Sequence, residues 1–269
     1  MSTTFRVGFI GLGNMASAII GGMLAKEVVC PSQICAYDVS SEKCAAFAEK
    51  GLIITKNEQD VVANSKYVFL CVKPQVMGDV LTALKPAAGE HNVFVSIAAG
   101  VGAQYIKNNI GFDCSLVLVM PNTPLMLGAG ASALACIAPT NAEDFAFVKS
   151  IFASAGISEV IPADKLCEVI PVNGSSPAFI YLFAKVVADF AKEQGIDYNV
   201  ALRLFAQTLI GSAKMLSESN LTPDELIKMV SSPGGTTLKA LSTFEEYGFE
   251  KTVRAAMRSC IDRAYELGR

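Results

Sequence analysis

The chain of 269 residues contains a single histidine, His91. Histidine-rich zinc sites and Ser-His-Asp triads therefore have almost nothing to draw on. His91 lies in the polar stretch Gly89 to Asn92 and reads as an exposed loop residue. Charge is also scarce: charged residues make up 17% of the chain, and 22 Lys+Arg against 25 Asp+Glu leave a net charge of -3. No basic field exists to hold a nucleic acid. The 8 cysteines form no CxxC pair. Several sit in apolar runs such as Phe69-Leu70-Cys71-Val72 and read as reduced core residues, so no metal site is expected.

An unbroken apolar span is missing as well. Val7 to Ala25 and Cys114 to Ala142 carry no charge, but Gly8, Gly11 and Gly13 interrupt the first, and Pro121, Pro124 and Pro139 cut the second. Neither reads as one membrane-crossing helix. Met1 to Phe5 lacks the basic start of a secretory signal. The expectation is a soluble, cytoplasmic chain with no membrane partner. Its hydrophobic content of 52% then points to an extensive interface between copies of itself, a homo-oligomer.

Short apolar runs at Arg6 to Ile10, Gln33 to Tyr37, Tyr67 to Val72, Val93 to Ile97 and Ser115 to Met120 alternate with helical segments. This alternation predicts an α/β N-terminal Rossmann-type domain, a mostly parallel doubly wound sheet, over residues 1–162. Beyond about Pro162 the strand signal ends. Phe179, Leu182, Phe183, Val186, Val187 and Phe190 recur at helical spacing, and Tyr198 to Leu216 carries only Arg203 and Lys214 as charges. Thr222-Pro223-Asp224-Glu225 is a capping box. Residues 163–269 are expected to be an all-α C-terminal domain for substrate binding and oligomerisation. Its apolar helices must be buried, either within the chain or against another subunit.

The turn Gly8-Phe9-Ile10-Gly11-Leu12-Gly13-Asn14-Met15-Ala16 follows a strand and opens a helix. Gly11 suits the tight turn, Gly13 the approach of a pyrophosphate, and Ala16 close helix packing. Asp38 ends the second strand, where an acid commonly holds the adenine ribose of NAD and repels a 2′-phosphate. Ser40, Ser41 and Lys43 follow; they either neutralise a phosphate or simply start a helix, which leaves NADPH against NADH open. Val72-Lys73-Pro74 and Ser96 to Val101 lie at carboxyl ends of strands, where ligands of open parallel sheets bind. Lys73 reads as a contact to cofactor or substrate, or as a solvated lysine. Ser231-Ser232-Pro233-Gly234-Gly235-Thr236-Thr237 leads into a helix near Leu238 and offers hydroxyls, uncovered N–H groups and a positive helix end. It reads as a carboxylate cradle, or as an ordinary turn between helices.

These segments, with Met120-Pro121-Asn122-Thr123-Pro124, Gly174-Ser175-Ser176-Pro177-Ala178 and Gly211-Ser212-Ala213-Lys214-Met215, occur in an order that resembles pyrroline-5-carboxylate reductase along essentially the whole chain. The resemblance implies hydride transfer from NAD(P)H to the cyclic imine L-1-pyrroline-5-carboxylate, giving L-proline, the last step of proline biosynthesis, with NADPH usually preferred. It implies cofactor contacts from Gly11, Gly13, Asn14, Met15, Asp38, Ser40, Asn57, Val72, Lys73, Pro74, Ala98 and Ala99. It implies substrate contacts from Ser175, Ser232, Gly234, Gly235, Thr236 and Thr237, with Ser232 and Thr237 as the catalytic pair. Two positions depart from the family's usual pattern: Asn173 stands where serine is usual, and Asp38 where NADPH-preferring members commonly lack an acid.

The scarcity of histidine suits this chemistry. A ketone needs an acid to protonate the developing oxyanion, whereas a protonated imine is already electrophilic and chiefly needs orientation. The rival reading is a hydroxyacid dehydrogenase of the same two-part architecture. It would place a catalytic lysine a few residues past a glycine-rich turn on the long helix, whereas here Pro177 to Ala184 precede Lys185.

Overall fold

The computed structural model describes residues 4–267. The chain divides into two compact units, one running to Pro177 and taking in the chain from Cys260 onward, the other covering Ala178–Ser259.

The first unit is built on β1 (Phe5–Ile10), β2 (Ile34–Tyr37), β3 (Ile53–Ile54), β4 (Ser65–Leu70), β5 (Val93–Ser96), β6 (Ser115–Met120), β7 (Gly130–Ile137) and β8 (Gly156–Val160). They form one sheet in the order β3-β2-β1-β4-β5-β6-β7-β8. All neighbours are parallel except β6 and β7, which pair antiparallel from Leu116↔Ile137 to Met120↔Ala133. The order reverses between β1 and β4, which opens a crevice at their carboxyl ends. Helices α1 (Asn14–Ala25), α2 (Ser41–Ala48), α3 (Glu58–Asn64), α4 (Pro74–Leu84), α5 (Ala103–Ile110) and α6 (Ala142–Ala153) make the crossovers.

Both faces of the sheet are buried along its central strands β1, β2, β4, β5 and β6, which are therefore mainly apolar while their side chains alternate between two cores. Tyr67, Phe69, Val93, Val95, Val117 and Val119 join the core that contains Ile19, Met23 and Phe152. Val68, Leu70, Phe94, Leu116 and Leu118 join the one that contains Met77, Leu81 and Ile106. Phe9 stacks on Phe69 with ring centroids 4.7 Å apart. Full burial of such side chains stabilises by roughly 1.5–3 kcal/mol each.

Helix α3 runs into β4 without a loop, leaving its last carbonyls in need of donors. Buried Asn92 supplies them: its Nδ2 donates to Val62 O (3.0 Å) and Ser65 O (2.8 Å), and its Oδ1 accepts from Gly89 N–H (2.9 Å). This draws the Gly89 to Asn92 turn inward, so His91 is half-buried with a buried Nε2 rather than an exposed loop residue.

Asp144, in the first turn of α6, ties that helix to β4. Its Oδ1 accepts from the Tyr67 hydroxyl (2.7 Å) and lies 2.6 Å from Lys66 Nζ, while its Oδ2 accepts from Asn141 Nδ2 (2.8 Å). Burial alone would raise the Asp144 pKa, but the bonds from Lys66, Tyr67 and Asn141 and the lysine charge bring it below its ordinary 3.8.

The second unit is helical: α7 (Ser176–Glu193), α8 (Tyr198–Glu218), α9 (Pro223–Met229), α10 (Thr236–Glu246) and α11 (Phe249–Leu267), the last continuing into the first unit. The capping box at Thr222 is present, with Glu225 Oε2 accepting from Thr222 N–H (2.8 Å). Apolar side chains of α7 and α8 stand exposed on the chain, among them Leu182 (63%), Phe190 (60%) and Leu204 (65%).

Asp144→Asn is expected to cost about 1–3 kcal/mol at neutral pH, because a partly buried acceptor of several donors is lost. A carboxylate with a depressed folded-state pKa stabilises fully above its unfolded pKa and loses that contribution as pH falls through the folded value. The gap between wild type and variant in urea unfolding is therefore expected to shrink as pH drops below the ordinary value of 3.8.

Candidate active site

The crevice between β1 and β4 is formed by backbone in close approach. Gly11 has φ +92°, and a Cβ there would lie 2.7 Å from Cys71 O and 3.2 Å from Val72 Cγ1. Gly11 N–H donates to Tyr37 O, and Cys71 N–H to Ile10 O, both at 2.8 Å. The turn thus excludes any side chain at position 11. Gly13 is different: nothing lies within 4 Å of a Cβ built on it. It N-caps α1 with no side-chain cap bond and no acid in the first turn, so no cap side chain takes up the N–H groups that open the helix. That arrangement fits a pyrophosphate. The extra glycine, Gly8, serves packing, since a Cβ there would lie 2.5 Å from Ser65 Oγ and from Val61 Cγ1.

Asp38 follows β2, and its side chain is only 8% exposed. Its Oδ2 accepts from Leu12 N–H (2.7 Å) inside the glycine turn, and its Oδ1 accepts from Ser40 N–H (2.9 Å). Lys43 Nζ stands 3.5 Å from Oδ2. Burial pushes its pKa up, but the two backbone N–H groups and Lys43 outweigh this and hold it below the usual aspartate value. The carboxylate is therefore charged, partly neutralised and turned into the protein. Of the two roles open to Ser40, the structure displays the cap: its Oγ accepts from Lys43 N–H (3.4 Å), and Ser41 starts α2.

Asn57 caps α3, its Oδ1 accepting from Asp60 N–H (2.8 Å). Val72 sits against Gly11, Lys73 N-caps α4 with its side chain exposed, and Pro74 occupies the first helical position, where its missing N–H costs nothing. Beyond β5, Ala98 and Ala99 lead into Gly100 at φ +80°. Ala98 borders a cavity of about 110 Å³ walled also by Ser96, Val101, Leu118, Met120, Leu166 and Cys167. Leu166 and Cys167 were not among the expected site residues. They arrive there because the chain after β8 folds back on the first unit, which no local pattern announces.

Ser175 also belongs to the first unit, with its Oγ 3.2 Å from Cys260 Sγ. The remaining expected substrate residues lie in the second unit. Gly234 has φ +70°, and Gly235 N–H donates to Ser232 O (2.9 Å). A Cβ on Gly235 would lie 2.5 Å from Ser232 Oγ. Gly235 is the N-cap of α10, without a side-chain cap bond and without an acid in the first turn, which holds Thr236 and Thr237. The Ser231 Oγ beside them is buried with no partner among the described residues. This end of α10 thus combines N–H groups without a side-chain cap, hydroxyls and a positive dipole end, features suited to a carboxylate. Lys185, which the rival reading would need, is exposed on α7 and paired with Asp189 at 2.6 Å.

Comparisons with known proteins agree along the chain. Residues 164–267 match the family described as pyrroline-5-carboxylate reductase dimerisation, and residues 6–100 match NADP oxidoreductase coenzyme F420-dependent. The pyrroline-5-carboxylate reductase of Escherichia coli is 37% identical over 98% of both chains, and that of Arabidopsis thaliana is 34% identical over 98% of this chain and 96% of its own. Among solved structures, a pyrroline-5-carboxylate reductase from Coxiella burnetii superposes with TM-score 0.90 at 30% identity, covering 99% of this chain and all 100% of its own. The Plasmodium falciparum pyrroline carboxylate reductase with NADP bound gives TM-score 0.90 at 26% identity and 100% coverage of both. Prephenate dehydrogenase from A. aeolicus, at 15% identity and TM-score 0.55, shares the fold alone. With an open glycine turn at one strand end, an uncapped SPGGTT helix start, and relatives matched from end to end, the chain belongs to the pyrroline-5-carboxylate reductase family.

Proposed function

We propose that this chain reduces L-1-pyrroline-5-carboxylate to L-proline, using NADPH in preference to NADH. The observation that carries the reading is the 37% identity to a pyrroline-5-carboxylate reductase over 98% of both chains. When bound, the dinucleotide supplies the hydride. Gly11, Gly13, Asn14 and Met15 receive the pyrophosphate through backbone N–H groups. Asn57 contributes on the ribose side, and Val72, Lys73, Pro74, Ala98 and Ala99 flank the nicotinamide end. Asp38 braces the turn through Leu12, while Ser40 and Lys43 face the 2′-phosphate.

Residues 163–269 form the substrate-binding and oligomerisation part. Gly234, Gly235 and Thr236 hold the substrate carboxylate with backbone N–H groups, aided by Ser232. Thr237 hydrogen-bonds the imine nitrogen or relays its proton. Binding energy from the carboxylate orients the ring for hydride transfer, and no histidine is required. The protein works in the cytoplasm as a homo-oligomer, a dimer or a higher assembly of dimers, that buries the exposed apolar faces of α7 and α8.

The direct test is oxidation of each reduced cofactor on adding pyrroline-5-carboxylate, with the larger kcat/KM expected for NADPH. Lys43→Ala should narrow the NADPH advantage by roughly fivefold, the ~1 kcal/mol of a partly exposed ion pair. Asp38→Ala should weaken both cofactors alike; a shift in their ratio would show that the carboxylate reads the ribose. Thr237→Ala should lower kcat/KM for the imine about tenfold or more, the ~1.5–3 kcal/mol of a charge-assisted hydrogen bond. If it instead weakens cofactor binding and spares imine reduction, the SPGGTT segment is assigned to the wrong ligand. Sedimentation at micromolar concentration should show no stable monomer.

A further inference from the structure

Asn173 lies in the single π-helical turn Ile170–Gly174 that precedes α7. Its Nδ2 donates to Met120 O (2.8 Å), at the end of β6, and to Ala131 O (2.9 Å), near the start of β7. Both partners are carbonyls, so the amide can take only one orientation, with nitrogen toward the strands. Its Oδ1 is buried without a partner among the described residues. Asn122 completes the clasp: its Oδ1 accepts from Ala131 N–H (2.9 Å), and its Nδ2 donates to Asn173 O (3.2 Å). The two amides thus hold both backbone polar groups of Ala131 and the last carbonyl of β6.

The clasp borders the cavity. Met120, whose carbonyl it fixes, helps wall the space of about 110 Å³ beside Ala98 and Ser96. Gly174 packs so closely on Met120 that an added Cβ would lie 3.2 Å from its sulfur. A serine at position 173 has one hydroxyl proton and can serve one carbonyl; only a residue with two donors on one nitrogen serves both.

We infer that Asn173 is a positioning residue for hydride transfer. It fixes the Met120 backbone, and through it the wall of the cavity at the carboxyl ends of β5 and β6, against which the nicotinamide is oriented. The inference rests on the reading of the chain as an NADPH-dependent imine reductase. Loss of the amide leaves two carbonyls without their donor and lets this wall relax, while the glycine turn that holds the pyrophosphate belongs to β1 and is untouched.

The test compares wild type, Asn173→Ala and Asn173→Ser in reducing pyrroline-5-carboxylate with NADPH and with NADPH deuterated at the nicotinamide C4. Cofactor affinity is measured by fluorescence titration. For Asn173→Ala, kcat should fall about tenfold with a deuterium isotope effect at least as large as that of wild type, while cofactor Kd stays within about twofold. Asn173→Ser should fall in between. If the alanine variant does not fold, the serine variant is judged by the same criteria. A folded variant with wild-type kcat overturns the inference whatever its thermal stability. So does a reduced kcat with a smaller isotope effect, or a loss of cofactor affinity equal to the loss in kcat. A wild type that leaves the imine unreduced removes the underlying reading instead.

Discussion

The first unit depends on how closely the end of β1 approaches the end of β4. Because Cys71 O would stand 2.7 Å from a side chain at position 11, the chain must turn there as glycine, in a left-handed conformation. That turn sends α1 away with its first N–H groups uncovered. The Asp38 carboxylate then bonds Leu12 N–H at 2.7 Å, so a charged group stiffens the loop from the side of β2. The surface offered to an anion here is backbone, with side chains holding the backbone still. This explains how an acid at the end of β2 is compatible with a cofactor that carries an extra phosphate. Its oxygens are occupied by N–H groups, and Lys43 stands beside it.

The same economy applies at the start of α10. The Gly234–Gly235 turn starts α10 without a side-chain cap, and Gly235 is required because a Cβ there would lie 2.5 Å from Ser232 Oγ. A positive helix end beside hydroxyls suits a carboxylate, and the imine brings its own electrophilicity. Such a site asks little of acid-base residues, in keeping with a chain whose only histidine is half-buried in the turn before β5.

Strands β1, β2, β4, β5 and β6 were legible because burial on both faces makes them continuous runs of apolar, largely β-branched residues. β7 was not: Gly130-Ala-Ser-Ala-Leu-Ala-Cys-Ile is rich in small residues of low strand propensity, and pairing with β6 makes it a strand. β3 has just two residues. Among site residues, the glycine turn and Asp38 could be read from position, but the inward aim of the carboxylate depends on Leu12, whose N–H no pattern marks. Asn173 stood out as a departure from the family. Its two partners, Met120 and Ala131, become neighbours only through the β6–β7 pairing. The exposed apolar faces of α7 and α8 follow from sequence periodicity, since a helix that is apolar nearly all round leaves surface that its own unit does not cover.

The central claim is that this family member transfers hydride directly from a reduced nicotinamide to a cyclic imine, with orientation rather than protein acid-base chemistry as the main contribution. Reduction of pyrroline-5-carboxylate by NADPH deuterated at the transferring C4 position tests it most directly. The account predicts L-proline with the deuterium on its δ carbon and none exchanged with solvent. Proline lacking the label, or label lost to water, would contradict it.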